Sequence, residues 1–290
     1  MLENKLKGIT AKVLPLFAIY HFANATPVFA EPNSRSMHSF IAGRLLENEG
    51  RLNDSLKSYF DALDNDSTSA TILNSIAEVY IRRDLPGMAL FYLRDAVKHD
   101  PEYLEARSNL AGVYVSNTDY TKGLEHAIFV ISRKPDDVLA LNSAGESYYK
   151  MHNFSESRKY FGKTVELDTH EPSAMFAWHR LGMMDFSESK FRDAIDKLKR
   201  SIWRVNNNSP DDRLIVYQNL YYITISYYTL EEFDEAKNHL DFLYAALKYE
   251  RNPSVSEKVK SFNLKSVEEQ IKKAIQSKSK KATPSTAIPR

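Results

Sequence analysis

The 290-residue chain has a hydrophobic share of 43%, a charged share of 27% and a formal net charge of +1. These values are ordinary for a soluble globular protein and lack the basic surplus that is typical of nucleic-acid binding. Only nine glycines are present, which disfavours glycine-rich phosphate loops and suits long helices. The absence of cysteine excludes disulfides and thiolate catalysis. The composition therefore predicts no nucleic-acid partner.

Residues 1–30 have the three-part pattern of a secretory signal. Three lysines lie in the first twelve residues, a short apolar run spans residues 13–22, and small residues follow up to Ala30. The run is about half of the roughly 20 residues that cross a bilayer. We therefore expect a signal peptide, cleaved near Ala30, and an exported protein that is periplasmic or secreted. An uncleaved anchoring helix is the alternative, and no later segment predicts a transmembrane helix in the mature chain.

A spacing of 34 residues recurs along the central part of the chain. At one place of this repeat a small residue is followed, three residues later, by a large apolar or aromatic residue. The small residues are Gly43, Ala77, Ala111 and Gly145, and the large ones are Leu46, Tyr80, Tyr114 and Tyr148. A period of this length is typical of stacked helix pairs, since a single pair cannot bury its apolar face alone.

This arrangement of small and aromatic places resembles the tetratricopeptide repeat family, with further matches at Gly182 and Tyr227 and linker prolines at Pro101 and Pro135. The resemblance implies that each unit is a helix, a tight turn and a second antiparallel helix. The expected fold is all-α, a right-handed α-solenoid of about six such units. The units are predicted at residues 36–69, 70–103, 104–137, 138–171, 175–208 and 217–250.

The end of the chain continues the helical pattern and then loses it. Apolar residues recur at helical spacing over residues 254–277, which predicts one helix that caps the solenoid. The solenoid domain is therefore predicted to span residues 36–277. Residues 278–290 have too little apolar content to fold and predict a disordered basic tail.

Catalytic and metal-binding patterns are not found in the sequence. Eight histidines are scattered, and no pair lies four residues apart on one helix to chelate a metal. No nucleophile elbow or phosphate-binding loop occurs. The acidic run at residues 61–66 falls at a predicted helix end, which is typical of a solvated surface. We therefore expect a protein that is not an enzyme and takes no cofactor or metal.

The resemblance implies that the first helix of each unit lines a concave groove through its second, fifth, ninth and twelfth places. In units two to four these places are mostly polar, and asparagine amides can hydrogen-bond an extended peptide. In units five and six the places are aromatic or apolar, which is typical of a partner site. The predicted partner-binding groove contains Asn74, Glu78, Asn142, Glu146, Tyr149, Phe176, His179, Met183, Phe186, Tyr221, Ile225 and Tyr228.

Two questions about this groove remain open at the sequence level, and each has two possible answers. The capping helix either leaves the groove free for a partner or folds back and buries Tyr221, Ile225 and Tyr228. Asn74 and Asn142 are either ligand contacts or ordinary solvated side chains.

The leading hypothesis for function is an interaction scaffold in the cell envelope that binds another protein or a peptide segment. It would resemble exported repeat proteins that assist pilus, secretion or envelope-polymer machines. One alternative is a structural protein that forms a homo-oligomer through the aromatic edge of unit six. Another is a polysaccharide-binding module that stacks sugars on its tyrosines. The clamp for acidic peptides found in some family members is not expected, because Glu78 and Glu146 occupy inward places.

Overall fold

The computed structural model describes residues 32–167, 172–203 and 210–282. Within these ranges the chain forms fourteen α-helices and no strand. The predicted signal segment lies outside the described residues and stays a prediction. The helices are α1 (Pro32–Asn48), α2 (Leu52–Asn65), α3 (Ala70–Arg82), α4 (Pro86–His99), α5 (Leu104–Ser116), α6 (Tyr120–Arg133), α7 (Val138–Lys150), α8 (Phe154–Glu166), α9 (Pro172–Ser187), α10 (Phe191–Trp203), α11 (Pro210–Thr229), α12 (Phe233–Leu247), α13 (Pro253–Lys260) and α14 (Leu264–Ala282).

Consecutive helices pair as six hairpins, from α1 with α2 to α11 with α12. The first helices of neighbouring hairpins also pack directly on one another from α3 to α11, whereas α2, α4, α6, α8 and α10 pack mainly on the helices next to them in sequence. The first helices therefore form one layer of the array, and the second helices form the other. The predicted all-α repeat solenoid is confirmed.

The turn inside each hairpin contains one residue in the left-handed backbone conformation. Gly50 has a φ of 75°, and Thr118 and His152, at the same place of later units, have φ values of 63° and 60°. In each turn, the residue after the left-handed one donates its backbone N–H to the carbonyl oxygen five residues earlier, as Leu85 does to Tyr80 at 2.9 Å. Because Asp84, Ser189 and Glu231 adopt the same conformation, all six hairpins reverse direction by the same motif.

The small residue of the repeat allows the two helices of a hairpin to approach closely. A Cβ atom added at Gly43 would lie 2.5 Å from the ring of Tyr59, and one at Gly145 would lie 2.8 Å from the ring of Phe161. In both hairpins the large partner lies sixteen residues further along the chain, and both rings are fully buried. The periodic small residue thus has a packing function, since a larger side chain would push the second helix away.

Asp185 occupies a place that holds tyrosine in the central units, and its surroundings explain the change. Its side chain is 3% exposed, and it accepts a hydrogen bond of 2.6 Å from Arg158 of α8. Lys197 of α10 forms a second ion pair with the same carboxylate. Two cations from flanking helices therefore compensate the buried charge, and they tie α8 and α10 to α9.

The segment after the sixth hairpin differs from the single capping helix predicted over residues 254–277. It contains two helices, α13 and α14, because Asn263 adopts a φ of 49° and reverses the chain between them. Val255 and Val259 of α13, and Val267 and Ile271 of α14, are buried against the sixth hairpin. Helix α14 also runs to Ala282, so the predicted disordered tail does not begin at residue 278, and residues 283–290 lie outside the described part.

Candidate functional site

A groove of about 590 Å³ runs across the layer of first helices, from α5 through α7 and α9 to α11. Four of the predicted groove residues line it, namely Asn142, Glu146, Phe176 and His179. The other lining residues are Gly112, Val115, Leu139, Ser143, Met175, Arg180, Asp211, Asp212, Leu214, Ile215 and Gln218. The lining therefore overlaps the predicted set only in part, and the predicted partner-binding role stays a prediction.

An ion pair joins the two central helices of the groove. Arg180 of α9 donates two hydrogen bonds, each of 2.7 Å, to the two carboxylate oxygens of Glu146 on α7. The guanidinium also lies over the rings of Tyr149 and Phe176, 5.0 and 4.9 Å from their centroids. Because both hydrogen bonds form along the planar guanidinium, the pair fixes the orientation of α7 relative to α9.

His179 is buried and belongs to a hydrogen-bonded chain between helices. Its Nδ1 donates to Oδ1 of Asn219 on α11 at 2.6 Å, and Asn219 donates to the hydroxyl of Ser201 at 2.9 Å. Burial lowers the pKa of His179 from 6.5 to about 4, with a further lowering from the adjacent Arg180. The side chain is therefore neutral at physiological pH and connects α9 to α11.

Asn74 and Glu78 lie on α3, outside this groove, and they bind each other. Glu78 accepts hydrogen bonds from Asn74 at 2.9 Å and from Asn109 at 3.2 Å, and Arg44 donates to its other oxygen at 3.3 Å. Asn74 is 2% exposed and also accepts from Asn109. Burial raises the pKa of Glu78, as does the nearby charge of Glu105. These polar groups are hydrogen-bonded within the array.

Three predicted aromatic residues of units four to six, Tyr149, Phe186 and Tyr228, contact a ring at the start of the following helix. Each ring packs on a phenylalanine five residues later, with centroids 5.5 Å apart for Tyr149 and Phe154 and 5.6 Å apart for Phe186 and Phe191. Tyr228 forms the same contact with Phe233 at 5.6 Å. These aromatic pairs hold the turns of their hairpins, and none of the three predicted rings lines the groove. Met183 is half-buried on α9 and does not line it either.

Contacts of the sixth hairpin answer the question of whether the C-terminal segment folds back on Tyr221, Ile225 and Tyr228. The ring of Tyr221 stacks on that of Phe262, in the turn between α13 and α14, with centroids 4.9 Å apart. Ile225 and Tyr228 pack against the hydrophobic cluster that contains Val267 and Ile271 of α14. The C-terminal helices therefore cover the aromatic end of the solenoid, and Tyr221, Ile225 and Tyr228 do not line the groove.

The lining residues outside the predicted set include Arg180, Asp211, Asp212 and Ile215. Arg180 was missed because a short insertion precedes the fifth unit, so Arg180 does not fall on an inward place when the unit is aligned on Gly182. One signal in the sequence could have identified Arg180. It carries the opposite charge to Glu146 and lies 34 residues, one repeat length, further along the chain. Arg44 and Glu78 form an ion pair at the same spacing.

The described residues were also searched for two other kinds of site. Among residues 32–167, 172–203 and 210–282, no group of three or more histidine or acidic side chains is arranged to hold a metal ion. None of the described helices has the length and apolar character needed to cross a membrane.

Comparison with known proteins supports the fold. No protein-family model matches the sequence, and no curated protein matches it. Among solved structures, PilF from Pseudomonas aeruginosa matches with a TM-score of 0.63 and 15% identity, over 76% of this chain and 96% of that protein. PilW, described as a widely conserved type IV pilus biogenesis factor, matches with a TM-score of 0.61 and 17% identity, over 74% and 95%.

A tetratricopeptide repeat protein from Parabacteroides merdae matches with a TM-score of 0.57 and 12% identity, over 87% of this chain and 95% of that protein. Identities this low show the fold alone. The chain is thus an all-α repeat solenoid, the class of protein that presents extended binding surfaces. More specifically, it has the tetratricopeptide repeat fold, as the sequence predicted.

Proposed function

We propose that this chain is a non-enzymatic scaffold that binds a segment of another protein in the groove formed by α5, α7, α9 and α11. The observation that carries the proposal is the lining, in which exposed or half-buried apolar side chains surround a fixed polar floor. Leu139 is 40% exposed, Phe176 and Ile215 are half-buried, and Glu146 and Arg180 form the floor. A peptide held there would bury these apolar groups and meet oriented polar ones.

Photo-crosslinking tests the groove directly. A photoreactive amino acid at Gln218, a half-buried lining residue, is expected to yield a discrete crosslinked product in cells. Leu139→Arg should abolish this product by filling the groove with a charged side chain. Ile128→Arg, at a similarly exposed residue (36%) of the second helix α6, should leave it unchanged. A product that survives Leu139→Arg would exclude the groove as the binding site.

We also propose that the protein is exported and serves an envelope assembly machine. Two observations support this proposal, namely the signal-like pattern of residues 1–30 and the shared fold with PilW, a type IV pilus biogenesis factor. Mass spectrometry of the amino terminus, after cell fractionation, is expected to find a mature chain beginning near Glu31 in the envelope fraction. Intact chain confined to the cytoplasm would contradict export.

Self-association is a second candidate function, favoured by the opposite end of the solenoid. Met37, Ile41 and Leu45 form a stripe on α1 and are 57%, 50% and 59% exposed. The repeat places of Ile41 and Leu45 hold Ser75 and Val79 in the next unit, where both are buried. Because α14 covers the other end, a second copy would meet this stripe head to head, in a closed dimer.

Sedimentation of the mature chain tests this second candidate. The wild type should show a dimer that dissociates on dilution, and Ile41→Glu should make it monomeric. Phe91→Glu, at a 63% exposed residue of α4, serves as the control and should leave the dimer intact. A wild-type chain that is monomeric at all concentrations would exclude the idea. No observation favours the polysaccharide alternative, because Tyr149, Tyr221 and Tyr228 each contact another side chain.

A further inference from the structure

One place of the repeat forms a row of residues across the layer of first helices. Its members follow one another at a spacing of 34 residues and are Arg44, Glu78, Gly112, Glu146 and Arg180. Arg44 donates to Glu78 at 3.3 Å, and Arg180 donates two hydrogen bonds of 2.7 Å to Glu146. Helices α3 and α7 both pack on α5. Gly112 of α5 therefore lies between two ion pairs, at a position where the row has no side chain.

Packing between helices does not require a glycine at this position. A Cβ atom added at Gly112 would lie 3.7 Å from Cδ1 of Leu139 and 3.9 Å from Oγ of Ser143, which are ordinary contact distances. The same addition at Gly145 would lie 2.8 Å from a buried ring. Glycine inside a helix is destabilising relative to alanine, and one use of it is to let a ligand approach the backbone closely. The space beside Gly112 permits such an approach to α5.

This space belongs to the groove and has apolar walls. Gly112, Val115 of the same helix and Leu139 of α7 all line the groove. Val115 lies three residues after Gly112, so the two residues are neighbours on one face of α5. Val115 is half-buried and Leu139 is 40% exposed, so each retains apolar surface that a bound side chain would cover.

The carboxylates on either side of this space already have partners. Both oxygens of Glu146 accept from Arg180. Glu78 accepts from Arg44 and from two asparagine amides. A cationic side chain placed at Gly112 would lose hydration and would have to compete with these existing partners. An apolar side chain has no such cost and gains free energy from burial.

We infer that Gly112 opens a subsite for one large apolar side chain of the bound segment. This inference rests on the proposed function and specifies what the groove recognises. The anchoring side chain packs against the backbone of α5, between Val115 and Leu139, and an ion pair lies on each side of it. Gly112 is thus a specificity-determining residue, because a larger residue at this position would occupy the space of the anchor.

A double-mutant cycle between the groove and its ligand tests the inference. The probes are twelve-residue peptides selected by phage display on the full chain, then synthesised and measured by fluorescence anisotropy. Enriched peptides are expected to share one large apolar residue, and its replacement by alanine should weaken binding about tenfold. Gly112→Leu should weaken the parent peptide to a similar extent. The alanine-substituted peptide should bind Gly112→Leu and the wild type within about twofold of each other, because both changes remove the same contact.

Two further variants control for effects on the fold. Gly162→Leu is the matched control, because a Cβ at Gly162 of α8 meets nothing within 4 Å and the residue does not line the groove. It should change affinity for the parent peptide less than about twofold. Gly112→Ala adds a Cβ at ordinary contact distances, so the variant is expected to fold, and it should weaken the parent peptide about threefold.

The outcomes separate the inference from the proposed function. The inference is overturned by affinity that Gly112→Leu leaves unchanged, by an equal loss in Gly162→Leu, by losses that simply add, or by enriched peptides without a shared large apolar residue. If Leu139→Arg abolishes binding in those cases, the groove remains a peptide site. Failure to enrich any peptide, or binding that survives Leu139→Arg, contradicts both the inference and the proposed function.

Discussion

Arg180 of α9 and Glu146 of α7 form a two-pronged ion pair across neighbouring units, with both hydrogen bonds at 2.7 Å. The guanidinium lies over the aromatic rings of Tyr149 and Phe176, and both members of the pair line the groove. Its position makes it part of the packing between units as well as part of the groove floor. The two roles predict a measurable contribution to stability in the absence of any partner.

A double-mutant cycle with Arg180→Met and Glu146→Gln should give a coupling energy of about 1–2 kcal/mol in urea unfolding. The reason is partial burial, since the two side chains are only 20% and 9% exposed. The control cycle uses Arg200 and Asp196, a pair at 2.8 Å whose side chains are 53% and 60% exposed, and should give about 0.5 kcal/mol or less. Equal coupling in the two cycles would contradict the prediction.

Gly145→Ala should destabilise the protein by about 1–3 kcal/mol, because the new Cβ would lie 2.8 Å from the buried ring of Phe161. Gly162→Ala, on α8 of the same hairpin, provides the matched control. Nothing lies within 4 Å of a Cβ at Gly162, so this change should stabilise the helix by about 0.5–1 kcal/mol. Thermal unfolding of the two variants measures the difference, and a stabilised Gly145→Ala variant would show that the helices can separate freely.

Thr118→Gly should stabilise the protein by about 1 kcal/mol, because Thr118 is a β-branched residue held at a φ of 63°. Glycine adopts this conformation without steric cost, as Gly50 does at the same place in the first hairpin. Asn117→Gly is the control. Asn117 has a φ of −85°, so glycine there only adds freedom to the unfolded chain and should destabilise. Chemical denaturation of both variants checks the prediction, and opposite signs are expected.

His179 should make folding stability depend on pH. The unfolded chain binds a proton near pH 6.5, whereas burial lowers the pKa of the folded imidazole to about 4. Stability is therefore complete above pH 6.5 and declines as the pH falls towards 4, by on the order of 3 kcal/mol. His179→Gln should flatten this part of the stability profile, measured by denaturation between pH 7.5 and pH 4. An NMR titration of the His179 ring with a midpoint near 6.5 would refute the assignment.

The repeat pattern predicted some of the residues that line the groove but not others. Glu146 and Phe176 were found from their places in the repeat, because the first helices turn the same face inward in each unit. Arg180 was not found, because the insertion before the fifth unit displaces it from the expected place. Phe186 and Tyr228 were predicted as groove residues, yet each packs on the phenylalanine five residues later. The repeat period identifies which face of each first helix points towards the groove. It does not show whether a side chain on that face packs on a neighbouring side chain and so does not line the groove.

The sequence by itself determined the helical hairpins, their spacing and the close contact between the two helices of each pair. These features depend on residues near each other in the chain, such as Gly145 and Phe161, so a regular period reveals them. Only the tertiary structure decided that Phe262 covers Tyr221 and that Arg180 neutralises Glu146. The first contact joins the C-terminal helices to the sixth hairpin, and the second joins neighbouring hairpins. The insertion before the fifth unit and the turn at Asn263 change the register on which such contacts depend.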